Sequence, residues 1–130
     1  MVERQAGIRV FYEKSGEPFP VDGNAAIHVY RVVQEALNNL ARHSGAGEAW
    51  VRLRFLPRAL EVEVEDHGKG FEARASKQGI GLVAMRERAE LMGGVVEFLR
   101  PAPAAQSAQS GSGTLVRLRV PREKLDSNAG

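Results

Sequence analysis

The chain has 130 residues, 43% of them hydrophobic and 26% charged, with a net charge of +2. That is enough for one domain with one core, and too nearly neutral to point to broad nucleic-acid binding. There is no cysteine, which excludes disulfides, thiolate metal sites and cysteine nucleophiles and fits a reducing compartment.

No apolar run approaches the ~20 residues of a membrane span, and residues 1–20 lack a signal-peptide core. The first element is a short strand, Gly7–Lys14, in which Ile8, Val10 and Tyr12 alternate with Arg9 and Glu13. Gly16, Pro18 and Pro20 break it. Asp22 or Asn24 can then cap a long helix, Ala25–His43. Its apolar residues, Ala26, Val29, Val33, Ala36 or Leu37, and Leu40, recur at three-and-four spacing.

The opposite side of this helix is less ordinary. Arg31, Glu35 and Asn39 recur one turn apart, and Arg42 follows Asn39. A plain solvated stripe with a Glu35–Arg31 ion pair is one reading of that face. The other is a face for metal and phosphate. Asn39 can offer a neutral oxygen to Mg²⁺, Glu35 can accept a proton, and Arg42 can neutralise phosphate charge.

Ser44–Gly47 reads as a turn. Ala49–Phe55 and Leu60–Val64 alternate and read as a hairpin about Pro57-Arg58. Arg52, Arg54, Glu61 and Glu63 fall on its polar face, where they can pair across strands. Glu65-Asp66-His67-Gly68-Lys69-Gly70 follows. Gly68 and Gly70 permit a close ligand approach, although Asp66 in a glycine turn also has a purely structural use. Glu72–Gln78 reads as a polar loop.

Gly79-Ile80-Gly81-Leu82 opens a second helix that runs to Leu91 or Met92, where Gly93-Gly94 stops it. Glycines at a helix start expose N–H groups that can meet phosphate, and they also serve as plain caps. Val95–Leu99 is a strand. Pro101–Gly113 is low-complexity, a flexible loop centred on 101–112. Thr114–Val120 is the last strand, ended by Pro121. The domain is thus read as 1–122, with a polar tail over 123–130.

The order of parts is more specific than any one of them. QEALNNLARH on a helix precedes a hairpin ending in DHGKG, followed by GIGL, the helix MRERAELMGG, and GSGT before a final strand. This order resembles the ATP-binding domain of the GHKL superfamily. It is most similar to the catalytic domain of two-component sensor histidine kinases, in the branch that often pairs with LuxR-type response regulators. The resemblance covers roughly residues 8–121. It implies an α/β fold, the two-layer α/β sandwich known as the Bergerat fold, with a mixed sheet of about five strands and helices on one face. It also implies a short extra helical turn, within 71–77.

By that resemblance the ligands are ATP and Mg²⁺. Asn39 would ligate Mg²⁺, and Glu35 would orient or deprotonate a nucleophile or a metal-bound water. Arg42 would face phosphate. Asp66 would accept a hydrogen bond from the adenine amine, selecting ATP over GTP, with Gly68 and Gly70 shaping the pocket. Gly79, Ile80, Gly81 and Leu82 would hinge the ATP lid and meet the phosphates, and Thr114 would sit near adenine. His67 departs from the family, standing where Asn or Asp is usual. None of His28, His43 and His67 fits as phosphoacceptor.

The implied function is therefore γ-phosphoryl transfer to a histidine on a dimerisation domain of the same parent protein. A response regulator would be an indirect partner, and neither nucleic acid nor a membrane segment is involved. The domain would be cytoplasmic, with a parent that can be membrane-anchored. An anti-sigma-type serine kinase and a nucleotide-binding module without kinase activity are the alternative readings.

Overall fold

The computed structural model describes residues 2–5, 7–43, 47–68, 79–99 and 113–125. Six strands and two helices appear, in the order β1 (Val2–Gln5), β2 (Ile8–Gly16), α1 (Gly23–His43), β3 (Glu48–Leu56), β4 (Ala59–Asp66), α2 (Gly79–Leu91), β5 (Val95–Leu99) and β6 (Thr114–Pro121). One mixed sheet contains all six strands, in the spatial order β1-β2-β3-β4-β6-β5. The β2–β3 pair is parallel and spans the α1 crossover, and every other pair is antiparallel. This is the expected α/β sandwich.

β1 is an addition to the strands read from sequence. Val2–Gln5 holds a single apolar residue, so no alternation marks it. It is a strand because it adds to the free edge of β2, with Gln5 opposite Ile8.

The helices form because each has one face to bury. The Asp22 carboxylate accepts the Asn24 N–H at 3.2 Å and its carbonyl accepts the Ala26 N–H at 2.9 Å, starting α1. Val32, Ala36, Leu37 and Leu40 carry α1 onto the sheet, and Met85, Ala89 and Met92 do the same around α2. The sheet meets them with Val10, Val51, Val62, Val64, Val116, Leu118 and Val120, alternate residues of their strands. At the end of α2, the Gly93 and Gly94 N–H groups return to the carbonyls of Glu90 and Ala89 at 2.9 and 2.8 Å.

The stretch read as a polar tail from 123 is part of the fold through Leu125. That residue is fully buried, and its carbonyl accepts the Asp22 N–H at 2.7 Å. One apolar residue among polar neighbours has no periodicity to betray it. Among the described residues no helix is long and apolar enough to cross a membrane.

The outer face of the sheet is an ion lattice rather than a plain hairpin pairing. Glu63, 3% exposed, accepts from Arg52 Nε at 3.2 Å on β3 and from Arg117 Nε at 2.9 Å on β6, and Arg54 Nη1 lies at 2.8 Å. Arg54 and Arg119 also reach Glu61, and Arg52 also pairs with Glu65. Burial alone would push the Glu63 carboxyl up. The hydrogen bonds from Arg117 and Arg52 and the charge of Arg54 outweigh it and hold the group below the usual carboxylate range.

A folded-state value below the unfolded one means that this stabilisation is complete above the unfolded value, about pH 4.3. It is lost as pH falls through the lowered value. Glu63→Gln leaves three guanidinium groups without their shared anion. It should cost about 2 kcal/mol at neutral pH and flatten the acid limb of the stability curve, as read by urea unfolding between neutral pH and about pH 3.

Candidate functional site

The described sequence-chosen residues lie on or beside four elements, β4, β6, α1 and α2. Asp66 is the last residue of β4 and Thr114 the first of β6, and the two are direct partners in the ladder. Asp66 is 1% exposed and Thr114 0%. A carboxylate buried at a strand end needs donors. One is the Gly68 N–H, which donates to Asp66 Oδ1 at 2.9 Å, forming an Asx-type turn. The Thr114 hydroxyl is different, since Oγ1 is buried with no hydrogen-bond partner among the described residues. A buried polar atom without a partner is costly, and a ligand can supply the missing bond.

The two strands can meet this closely because of Gly113. Its φ is +97°, and a Cβ built on it would lie 2.2 Å from the Asp66 carbonyl oxygen and 2.9 Å from the His67 Cα. No other residue fits both the conformation and the space.

On α1, Glu35 is half-buried and Asn39 is 5% exposed, one turn apart, and Glu35 faces α2. No ion pair joins Arg31 to Glu35 among the described residues, so the simple surface-pair reading of this face is absent. Arg31, Gln34, Glu35 and Asn38 instead line a cleft of about 240 Å³ between the helices, closed on the other side by Ala84, Met85 and Arg88. Asn38, rather than Asn39, lines this cleft. Sequence reasoning missed Arg88. Its spacing from Ala84 put the two on one face of α2, but nothing local said that this face looks at Glu35.

Glu35 and Asn39 are oxygen donors, the set a hard divalent cation takes. Among the described residues no group of three or more His, Asp or Glu could hold a metal ion alone. A cation held by Glu35 and Asn39 would need further oxygens, from water or from a ligand.

Gly79, Ile80 and Gly81 form the first turn of α2, where the N-terminal N–H groups have no partner within the helix. Leu82 is half-buried against the core. The side chain of Arg42, Gly70, the 72–78 loop with the expected helical turn at 71–77, and the 101–112 loop lie outside the described residues.

His67 follows Asp66 but belongs to the outer face. Its Nε2 lies 3.0 Å from Glu65 Oε2, and its ring stands edge-on to Trp50, with centroids 5.2 Å apart and planes at 86°.

Comparison with known proteins bears on this arrangement. The family described as "Histidine kinase-, DNA gyrase B-, and HSP90-like ATPase" matches residues 24–124. The chain is 39% identical over 95 residues to the sensor histidine kinase LiaS of Bacillus subtilis (strain 168), a match covering 72% of the chain and 24% of that relative. It is 34% identical over 117 residues to the sensor histidine kinase YhcY of the same strain, covering 88% and 28%. The chain thus spans about a quarter of the length of these relatives.

The mycobacterial sensor histidine kinase MprB has the same fold. Its TM-score is 0.63 at 24% identity, over 86% of this chain and 83% of that one. So has full-length ShkA in complex with AMPPNP, with a TM-score of 0.65 at 16% identity, over 88% and 26%.

Proposed function

Because the chain belongs to the histidine kinase-, DNA gyrase B-, and HSP90-like ATPase family, we propose that it is the ATP-binding catalytic domain of a sensor histidine kinase. It would pass the γ-phosphoryl group of ATP to a histidine on a dimerisation domain, upstream of a response regulator and on the cytoplasmic side. The observation that carries the reading is the buried pair Asp66–Thr114, a carboxylate beside a hydroxyl that lacks a partner among the described residues. Adenine offers a donor and acceptors on one edge. The Asp66 carboxylate would accept from its amine, and the Thr114 hydroxyl would find the partner it lacks. Guanine presents a carbonyl to that carboxylate and would be rejected.

The other residues follow the same logic. Phosphoryl transfer asks the protein for positioning and charge neutralisation more than for covalent chemistry. Bound Mg²⁺ would neutralise the phosphates, held by Asn39 with Glu35 beside it. Glu35, one turn away, would orient the attacking imidazole or take its proton. The first turn of α2 would offer N–H groups to phosphate oxygens, and Arg42 would add positive charge. Among the named neighbours, full-length ShkA is in complex with AMPPNP, which supports looking for the same class of ligand here.

Calorimetric titration with a non-hydrolysable ATP analogue, with and without Mg²⁺, tests this. The wild type should bind in the micromolar-to-millimolar range, and Mg²⁺ should tighten binding. Asn39→Ala should bind the nucleotide but lose the Mg²⁺ effect. A folded wild type that binds no nucleotide would overturn the assignment.

A further inference from the structure

The turn at the adenine-facing end of β4 is glycine-bearing and short, so its conformation must be imposed from outside. Three restraints act on it. The Asp66 carboxylate holds the Gly68 N–H, and Gly113 packs on the backbone of Asp66 and His67. The third is the His67 ring, which reaches through Trp50 to the outer face of the sheet. Trp50 lies opposite Glu65 on β4 and opposite Phe11 on β2. Its indole stacks on Phe11, with centroids 5.7 Å apart and planes at 15°, and Arg9 sits 5.4 Å over that ring. On its other side it receives His67, which Glu65 also holds. A row Arg9–Phe11–Trp50–His67 thus crosses three strands and ends on the residue next to Asp66.

We propose that Trp50 is a positioning residue of the nucleotide site, acting through His67 to fix the Asp66–Gly68 turn and with it the selection of adenine. The proposal rests on the ATP-binding reading above. Alternation puts Asp66 on the helix side of the sheet and Glu65 and His67 on the other. A rotation of the His67 backbone therefore swings the Asp66 carboxylate relative to its ladder partner Thr114. A hydrogen bond to a base weakens steeply once misaligned. Loosening this clamp should cost recognition of the adenine amine more than affinity for the triphosphate, which is held elsewhere. A Trp50 that merely covered the sheet would lower stability and leave base preference alone.

The experiment compares ATP with purine riboside triphosphate, which lacks the 6-amino group. It uses calorimetry on the wild type and on Trp50→Ala, Trp50→Phe and His67→Ala, each checked by thermal melting. An aromatic pair is worth ~0.5–1.5 kcal/mol, so Trp50→Ala should lose roughly three- to tenfold in ATP affinity while its affinity for the amine-free analogue changes less than about twofold. Trp50→Phe, which keeps a ring against His67, should recover most of the difference. If Trp50→Ala does not fold, His67→Ala carries the comparison, since that side chain is 53% exposed.

An unchanged ATP-to-analogue ratio in a folded variant, or an equal loss for both nucleotides, would overturn the positioning role and leave the ATP reading standing. A wild type that binds neither nucleotide would overturn both.

Discussion

Asp66→Ala should abolish measurable ATP binding while leaving the protein folded. The side chain is fully buried at the end of a central strand, where a charged acceptor contributes ~1.5–3 kcal/mol to a hydrogen bond. A loss of that size is roughly ten- to a hundredfold, which carries a binder in the upper part of the micromolar-to-millimolar range beyond measurement. The fold should survive, because leaving the Gly68 N–H without this acceptor costs about 1 kcal/mol, while the β4–β6 ladder that carries the residue is backbone pairing. Asp66→Asn makes the sharper companion. It keeps an acceptor but adds a donor, so it should weaken ATP binding and admit GTP, whose base presents a carbonyl at the matching position. Titrating both nucleotides into both variants, beside melting curves, separates loss of recognition from loss of structure. An Asp66→Ala variant with wild-type ATP affinity would remove the adenine assignment.

Gly113→Ala should damage both stability and binding. At φ +97° an alanine pays about 1–2 kcal/mol for its backbone conformation alone. Its Cβ would also stand 2.2 Å from the Asp66 carbonyl oxygen. The obstacle is backbone at the centre of the sheet and cannot turn aside as a flexible side chain would. Strain of this kind adds a further ~1–3 kcal/mol, so the total should be about 2–5 kcal/mol. What moves is the backbone of Asp66, so ATP affinity should fall with stability. Gly7→Ala is the control. Its φ is +84°, but nothing lies within 4 Å of a Cβ there, so only the conformational part of the cost applies. Equal melting temperatures for the two alanine variants would show that the close approach at Gly113 carries no weight.

Much of the fold was legible in the chain. The alternation in β2, β3, β4 and β6 and the three-and-four spacing in α1 are local signals, and each named its element; on α1 the buried stripe is turned from the one read, with Ala25 and Val32 buried, Ala26 exposed, and Val29 and Val33 half-buried. What escaped were features made by partners distant in sequence. β1 is a strand only because β2 offers an edge. Leu125 is core only because the turn after β6 brings it beneath the start of α1. The cross-strand charges of the hairpin were readable, yet the central role of Glu63 depends on β6 lying beside β4, which places Arg117 against it.

The candidate site divides in the same way. Spacing alone put Glu35 and Asn39 on one face, and the glycines marked Asp66 as unusual. That Asp66 faces Thr114, that Thr114 Oγ1 has no partner among the described residues, and that His67 leans on Trp50 all follow from strand order, which no window of sequence contains.

The β4–β6 ladder joins strands farther apart along the chain than any other neighbours in the sheet. Closing that loop costs chain entropy before any contact repays it. The local hairpin of β3 and β4 can form early, whereas the Asp66–Thr114 pair exists only once β6 has docked. A ligand that grips this pair therefore recognises what is assembled last. Its stabilisation would fall on the barrier to unfolding rather than on the speed of folding, so a nucleotide held there would act as a latch on a finished domain and not as a template for making one.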